Sequence, residues 1–448
     1  MNGPGAAIAH QPGLWYPTSL PGRLRRESPF DAALPSPGTA MPPDTMPEHQ
    51  PPEAPAPKLL SFEFFSICAI SVLAFCNISI FYGFYSYLTE LGIPPGWRGP
   101  LLALEPLTAL VVRPFLGRYL SLKNSVQFMR VGMALATLAL LCYPLATTIP
   151  TLACVRVLHG MGFVTVVAGL MGTLMAFLPR KQSAQGFGLF SVTILLPYAI
   201  MPPFVELLLP HIANHGMAYA LAAPLMLPAF LLLAPLGKRT RALAASLPQS
   251  HLERPGWDEV RQALKSLGVA LLVAANFFLV AAHSIVFFFM RDFAAGIGAA
   301  NPGAFFTCAN TATIAVRVLG GNILDRVDKG RTLFITFLCL GLLVPLFAHA
   351  GRPVVLLCMA ALYGTGMAMT MPLVNASMFS ISPPRMRAYN ANLLMIAVDA
   401  GFFVGPFLGG AIMAGELGHA ALFGVGGALM LASGLCMRPV ARIMREAA

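Results

Sequence analysis

Four charged residues, Asp399, Glu105, Arg113 and Arg156, stand inside long apolar runs. A lone charge at the centre of a bilayer costs roughly 2.5 kcal/mol or more, so residues kept there point to proton loading, solute binding or mutual pairing. Asn77, His159, Glu206, His283, Asn310, Arg317, Asn375 and Asn392 complete the polar set in these runs. Other chemistries lack their residues. No Gly-x-x-x-x-Gly-Lys-(Ser/Thr) phosphate cradle occurs, which argues against an ATP-driven pump, and neither His-Glu-x-x-His nor Gly-x-Ser-x-Gly is present to support an enzyme. The 8 Cys all fall in apolar runs with no Cys-x-x-Cys pair, so they are expected to act as small buried apolar residues. Neither a metal site nor a cofactor is expected.

The composition identifies the solvent around these residues. Of 448 residues, 57% are hydrophobic and 10% charged, against about 25% charged in a soluble protein, and mean hydropathy is +0.72. A soluble globular enzyme is excluded, because so few charges cannot cover two or three domains. One bilayer crossing consumes about 20 residues. Apolar windows place twelve spans, at 62–88, 98–120, 124–146, 149–178, 185–209, 216–236, 266–290, 302–324, 332–350, 353–379, 388–414 and 418–437. The predicted fold class is therefore an all-α polytopic membrane protein of 12 transmembrane helices. Residues 1–58 form a Pro-rich tail without a signal-peptide pattern, expected to be disordered; 237–265 is the longest connection and 438–448 a second tail.

The basic residues set the orientation. The net charge of +11 does not lie on one soluble face, which removes the nucleic-acid reading: 22 of the 29 Lys and Arg fall in the tails and the connections on the tail side, and 3 (Arg98, Arg291 and Arg352) on the other. Basic residues near span ends are retained in the cytoplasm, so both termini are predicted to be cytoplasmic in a multi-pass protein of the cell inner (plasma) membrane.

A gapless offset of 204 residues superposes unusual positions: Arg113 and Gly117 on Arg317 and Gly321, Gly160 and Gly162 on Gly364 and Gly366, Pro179, Lys181 and Ala184 on Pro383, Arg385 and Ala388, and Pro202 on Pro406. Such a register predicts two parallel six-helix halves, 59–236 and 266–437.

Between spans 8 and 9, Gly321-Asn-Ile-Leu-Asp325-Arg326-Val-Asp-Lys-Gly-Arg331 resembles the loop signature of the major facilitator superfamily. The resemblance covers roughly 60–437 and implies a cytoplasmic gate of Gly321, Asp325, Arg326 and Arg331. Its counterpart Arg113-Pro-Phe-Leu-Gly117-Arg118-Tyr-Leu-Ser121 has Ser where the family has Asp, which weakens that half of the gate. Arg156-Val-Leu-His159-Gly160 in span 4 is similar to a family pattern linked to proton transfer. Gly401, Gly405-Pro406 and Gly409-Gly410 in span 11 look like a glycine pattern that family antiporters carry in span 5, where this chain has Pro197, Pro202 and Pro203. The resemblance implies outer helices 3, 6, 9 and 12, which indeed hold almost none of the polar set, and a cavity lined by 1, 4, 7 and 10. Asn77, His159, His283 and Tyr363 are assigned to that cavity, although a neutral His is also tolerated between packed helices.

Depth suggests two pairs. Glu105 and Arg156 each lie about seven residues from the outer start of their spans; Arg113 and Asp399 differ in depth by about four residues, or roughly 6 Å, on spans 2 and 11, which the resemblance implies are neighbours from opposite halves. Arg113 is expected to hold Asp399 while the cytoplasmic gate is closed, a pairing that a purely structural brace would equally produce. Phe81-Tyr82-Gly83-Phe84-Tyr85 and Phe287-Phe288-Phe289 sit near outer span ends and read as an interfacial aromatic belt, or alternatively as a wall for an amphipathic solute. The glycines of span 11 read as a close helix contact. The function expected is alternating-access transport of a small organic solute, with proton-coupled efflux preferred to proton-coupled uptake and a non-transporting receptor or scaffold disfavoured. Its partners would be the solute, protons and the bilayer, with no nucleic acid, and the protein is expected to be monomeric.

Overall fold

The computed structural model describes residues 61–178, 183–246, 265–320, 327–383 and 386–446. Among the described residues eleven helices are long and apolar enough to cross a membrane: α1 (Phe62–Glu90), α2 (Pro95–Leu116), α3 (Ser125–Leu145), α4 (Ile149–Phe177), α5 (Gly186–His211), α6 (His215–Ser246), α7 (Leu267–Gly296), α9 (Lys329–His349), α10 (Pro353–Ile381), α11 (Tyr389–Ala414) and α12 (Gly418–Arg445). The shorter apolar helix α8 (Ala304–Leu319) makes twelve. No strand occurs among the described residues, as expected where every backbone group must be satisfied inside its own segment.

Local signals set the helix starts. Ser61 caps α1 by accepting from the Phe64 N–H at 3.2 Å. Thr148 and Thr151 form a capping box ahead of α4, with Pro150 in the first turn where no N–H is needed. Asn214 accepts from Met217 N–H at 3.0 Å to start α6, and Asp328 from Arg331 N–H at 3.0 Å to start α9. The end of the bundle at which α1 starts and α12 finishes is called here the terminal end; the other is the distal end.

Several boundaries differ from the sequence prediction. Helix α6 continues to Ser246 and so carries Lys238, Arg239 and Arg241, which hydropathy assigns to the 237–265 connection. Helix α7 continues to Gly296 and carries Arg291 and Asp292. Charged residues lower the mean hydropathy of the last turns without ending the helix, so hydropathy windows stop short of the real helix end. The thiols are not buried as expected: all 8 are free, Cys154, Cys339 and Cys358 are exposed and the rest half-buried, a distribution suited to helix faces turned to lipid.

The 204-residue register reappears in the packing. Gly160 of α4 lies against the Glu105 carbonyl of α2, and Gly364 of α10 against the Ala309 carbonyl of α8, the same offset on both sides of the contact. Likewise Gly162 abuts Ala136 of α3, and Gly366 abuts Leu340 of α9. Each half therefore repeats the same small-residue seams, which let backbones approach where the hydrophobic effect cannot drive association. The halves meet along α2 with α11 and along α5 with α8. Gly99 and Gly410 make the first crossing possible, since a Cβ on Gly99 would stand 2.9 Å from Gly410 Cα. At the second, Pro203 has no N–H for the Ala199 carbonyl, and Thr307 of α8 donates to that carbonyl instead at 2.7 Å.

The aromatic clusters are not an interfacial belt. Phe81, Tyr82, Phe84, Tyr85, Phe287, Phe288 and Phe289 are all buried. Tyr85 packs on Phe289 at 4.8 Å between ring centroids, and Tyr82 on Phe306 at 5.5 Å, so the distal ends of α1, α7 and α8 seal one another across the halves.

Candidate functional site

Asp399 of α11 and Arg113 of α2 form a two-pronged ion pair across the two halves. Arg113 donates from Nη2 to one carboxylate oxygen at 2.9 Å and from Nε to the other. Asp399 is 8% exposed, and the planar guanidinium fork suits a bidentate bond that fixes distance and orientation together. The glycines on α11 account for the alignment. Gly401 and Gly405 press α11 against Val280, Ala281 and Ser284 of α7, and Gly410 against α2, which holds Asp399 at the seam.

Arg156 and Glu105 also meet, less directly than their depths suggest. Arg156 is fully buried; its Nε donates to the Leu101 carbonyl at 3.2 Å and its Nη2 to the Leu102 carbonyl at 2.8 Å. Its guanidinium lies 4.6 Å from the Phe84 ring centroid and 5.4 Å from that of Phe81. Helix carbonyls and aromatic faces thus hold most of the cation, and Glu105 approaches only to 3.8 Å.

The four residues assigned to the cavity separate into two groups. In the N-terminal half, His159 Nε2 lies 2.5 Å from Asn77 Oδ1 and its Nδ1 lies 3.2 Å from the Tyr143 hydroxyl; both His159 and Asn77 are buried. Asn77 also reaches Met226 of α6, so this network runs into the bundle, toward α3 and α6. In the C-terminal half, His283 Nδ1 lies 2.8 Å from the Tyr363 hydroxyl, with the rings stacked at 6.3 Å. Of the gate residues, Gly321, Asp325 and Arg326 and the side chains of Gly117 and Arg118 lie outside the described residues. Arg331 is exposed on the first turn of α9.

A second polar junction between the halves goes beyond the pairs expected from depth. Arg291 of α7 donates from Nε to Glu206 of α5 at 2.6 Å, from Nη2 to its other oxygen at 3.2 Å, and from Nη1 to the Ser86 hydroxyl of α1 at 2.7 Å. The Tyr82 hydroxyl donates to the same Glu206 carboxylate at 2.7 Å, and Ser86 donates to Asp292. Gly83 leaves the space for this junction, because a Cβ there would meet Arg291 Cδ at 3.0 Å. The sequence offers one usable signal, Glu206 inside an apolar run; Arg291 is hidden by its assignment to a loop. The junction lies at the distal end. Asp399 and Arg113 are therefore paired in a structure whose distal end is sealed, whereas the sequence reading ties the pair to a closed terminal gate.

Among the described residues no group of three or more His, Cys, Asp or Glu is gathered to hold a metal ion.

Two repeated helix bundles joined through a buried ion pair and a distal polar seal define a polytopic membrane protein of the transporter kind. Residues 67–397 and 294–446 match the family described as Major Facilitator Superfamily, and the chain belongs to it. The crystal structure of a point mutant of the nucleoside transporter NupG superposes with a TM-score of 0.64 at 15% identity, covering 86% of this chain and 99% of that one. At that identity the likeness concerns the fold. No individually curated protein matches the sequence.

Proposed function

We propose that the protein is a proton-coupled secondary transporter that exports a small organic solute by alternating access. The observation that carries this reading is the Arg113–Asp399 pair, a carboxylate and a guanidinium contributed by opposite halves. A buried carboxylate must be neutralised either by a cation or by a proton. Exchanging one for the other ties protonation to the seam between α2 and α11. With the distal seal in place Asp399 is satisfied by Arg113; once the distal ends part and α2 slides from α11, the carboxylate takes a proton from the distal side. Return to the sealed state then delivers that proton at the terminal, cytoplasmic face as Arg113 re-engages.

Arg291 and Glu206 are the distal lock of this cycle, and Thr307 on the Ala199 carbonyl a second fastening that separates with it. Arg156 is the fixed post of the N-terminal half, immobilised by α2 carbonyls and two rings. Its nearby carboxylate, Glu105, is the second site at which charge can change. The gate assigned to Gly117, Arg118, Gly321, Asp325, Arg326 and Arg331 closes the terminal end in the alternate state, and His283 with Tyr363 faces the solute from the C-terminal half.

Uptake of a metabolite by the same machinery is the second reading, favoured by Pro197, Pro202 and Pro203 standing in span 5 where family antiporters carry glycines. Proteoliposomes distinguish the two. A solute selected by thermal shift should accumulate against its gradient when the proton gradient opposes its movement; accumulation in the same direction as proton entry would establish uptake, and no response to an imposed pH gradient would remove proton coupling.

A further inference from the structure

Glu105 is anomalous among the carboxylates enclosed in the helix bundle. Its side chain is 9% exposed, yet among the described residues it accepts no hydrogen bond. The nearest cation is Arg156 at 3.8 Å, and that guanidinium is committed to the Leu101 and Leu102 carbonyls and the Phe84 ring. Asp399, Glu206 and Asp292 are all hydrogen-bonded. The Glu105 oxygens also differ from Arg156 Nη1, which is sealed and without a partner, in not being among the fully enclosed polar atoms. A carboxylate taken from water without donors is costly, and a ligand N–H that reaches it recovers that cost.

The surroundings supply the rest of a site. Glu105 packs beside α4, where a Cβ on Gly160 would stand 2.6 Å from its carbonyl oxygen, three residues before Phe163. Tyr198 of α5 belongs to an aromatic row that crosses the halves: Phe163 of α4 lies 5.5 Å from Phe75 of α1, Phe75 lies 6.4 Å from Tyr198, and Tyr198 lies 5.5 Å from Phe287 of α7. The first three are half-buried rather than closed over. Their faces attract a cation and pack an apolar body. An anionic solute would meet the Glu105 carboxylate here, and a solute without a donor would leave Glu105 unsatisfied.

We propose that Glu105 is the anchor for the ammonium group of an amphipathic organic amine whose apolar body lies on Phe75, Phe163, Tyr198 and Phe287. This assignment rests on the transporter reading and names the class of its solute. A neutral analogue of the same shape gains the aromatic contacts and forfeits the ion pair, so discrimination between the two measures Glu105.

The test uses the full chain in nanodiscs and three probes of one shape, 4-phenylbutylamine, 4-phenylbutanol and 4-phenylbutanoate, titrated calorimetrically. The amine should bind about tenfold or more tightly than the alcohol, and the carboxylate most weakly. Glu105→Gln should bring the amine down toward the affinity of the alcohol, which changes far less, and Glu105→Asp should retain the preference for the amine. The proposal is overturned if alcohol or carboxylate binds as tightly as the amine, if Glu105→Gln keeps the preference, or if none of the three saturates. Labelling of a cysteine placed at Tyr85 in the distal seal, read in the same preparation, separates the two levels. Switching of that label without amine preference removes only the assignment of Glu105, whereas a label that never becomes accessible removes the transport reading as well.

Discussion

Replacing Arg113 with Ala would leave Asp399 as an uncompensated carboxylate that is 8% exposed between two helices of opposite halves. Removing one member of a buried ion pair typically costs about 3–5 kcal/mol, while removing both charges together is often nearly neutral. Arg113→Ala and Asp399→Asn should therefore each destabilise by about 3 kcal/mol or more, and the double replacement by no more than about 1 kcal/mol beyond the lost packing of the Arg stem. With about 2 kcal/mol for the lost packing of the Arg stem, the double replacement costs about 3 kcal/mol, and the coupling energy of the cycle should reach about 3 kcal/mol, the upper part of the range for residues in direct contact. The assay is reversible unfolding of the full-length protein in mixed micelles, titrated with denaturing detergent and followed by helical circular dichroism. Costs that add to within about 0.5 kcal/mol, the behaviour of independent sites, would refute the reasoning, because the paired charges would then contribute nothing through each other.

Glu206→Gln or Arg291→Gln should weaken the distal junction by at least about 1.4 kcal/mol, raising the labelling rate of a cysteine at Tyr85 about tenfold; an unchanged rate would show that the seal is held elsewhere. Gly99→Val should cost about 1–3 kcal/mol by overpacking, since its Cβ would stand 2.9 Å from Gly410 Cα, and should lower the thermal midpoint more than a lipid-facing Gly→Val such as Gly424→Val, which meets no neighbouring atom. A reporter fused at the C-terminus, or inserted between residues 247 and 264, should read cytoplasmic, and an external reading would reverse the sidedness given to every step.

The fold was legible in the sequence because lipid imposes one rule on it. Long apolar windows can only be helices, and the 204-residue offset of Gly160 and Gly162 with Gly364 and Gly366 was already a packing pattern, since each glycine marks a seam with the helix beside it. The Arg113–Asp399 pairing was legible only once the family resemblance made spans 2 and 11 neighbours, since depth alone does not say which helices adjoin. What hydropathy concealed was the distal junction. Arg291 and Asp292 lie where the apolar window of α7 ends but the helix continues, and a cation at a span end reads as interfacial anchoring until the opposite half is known to supply Glu206. The aromatic runs mislead for the same reason. Periodicity cannot distinguish a ring facing lipid from one facing another bundle, and only the packing of Tyr85 on Phe289 shows that these rings close the distal end. His159 satisfied by Asn77 and Tyr143 illustrates a further limit, in that a polar residue on a predicted cavity helix is equally able to face inward into its own bundle.

The central claim is that protonation of Asp399 is coupled to release of the seam between the halves. It is tested most directly by the distance between spin labels at Met217 on α6 and Val354 on α10, both exposed near the distal end of opposite halves. The exposed thiols Cys154, Cys339 and Cys358 are first replaced by Ser so that only the introduced pair is labelled. Pulsed electron resonance on the protein in nanodiscs should show a single short distance at neutral pH and a growing longer one on acidification. In Asp399→Asn, and in the charge-free pair Arg113→Gln with Asp399→Asn, the distribution should no longer respond to pH. A variant lacking the Asp399 carboxylate that still opens on acidification as the unsubstituted protein does would contradict the account.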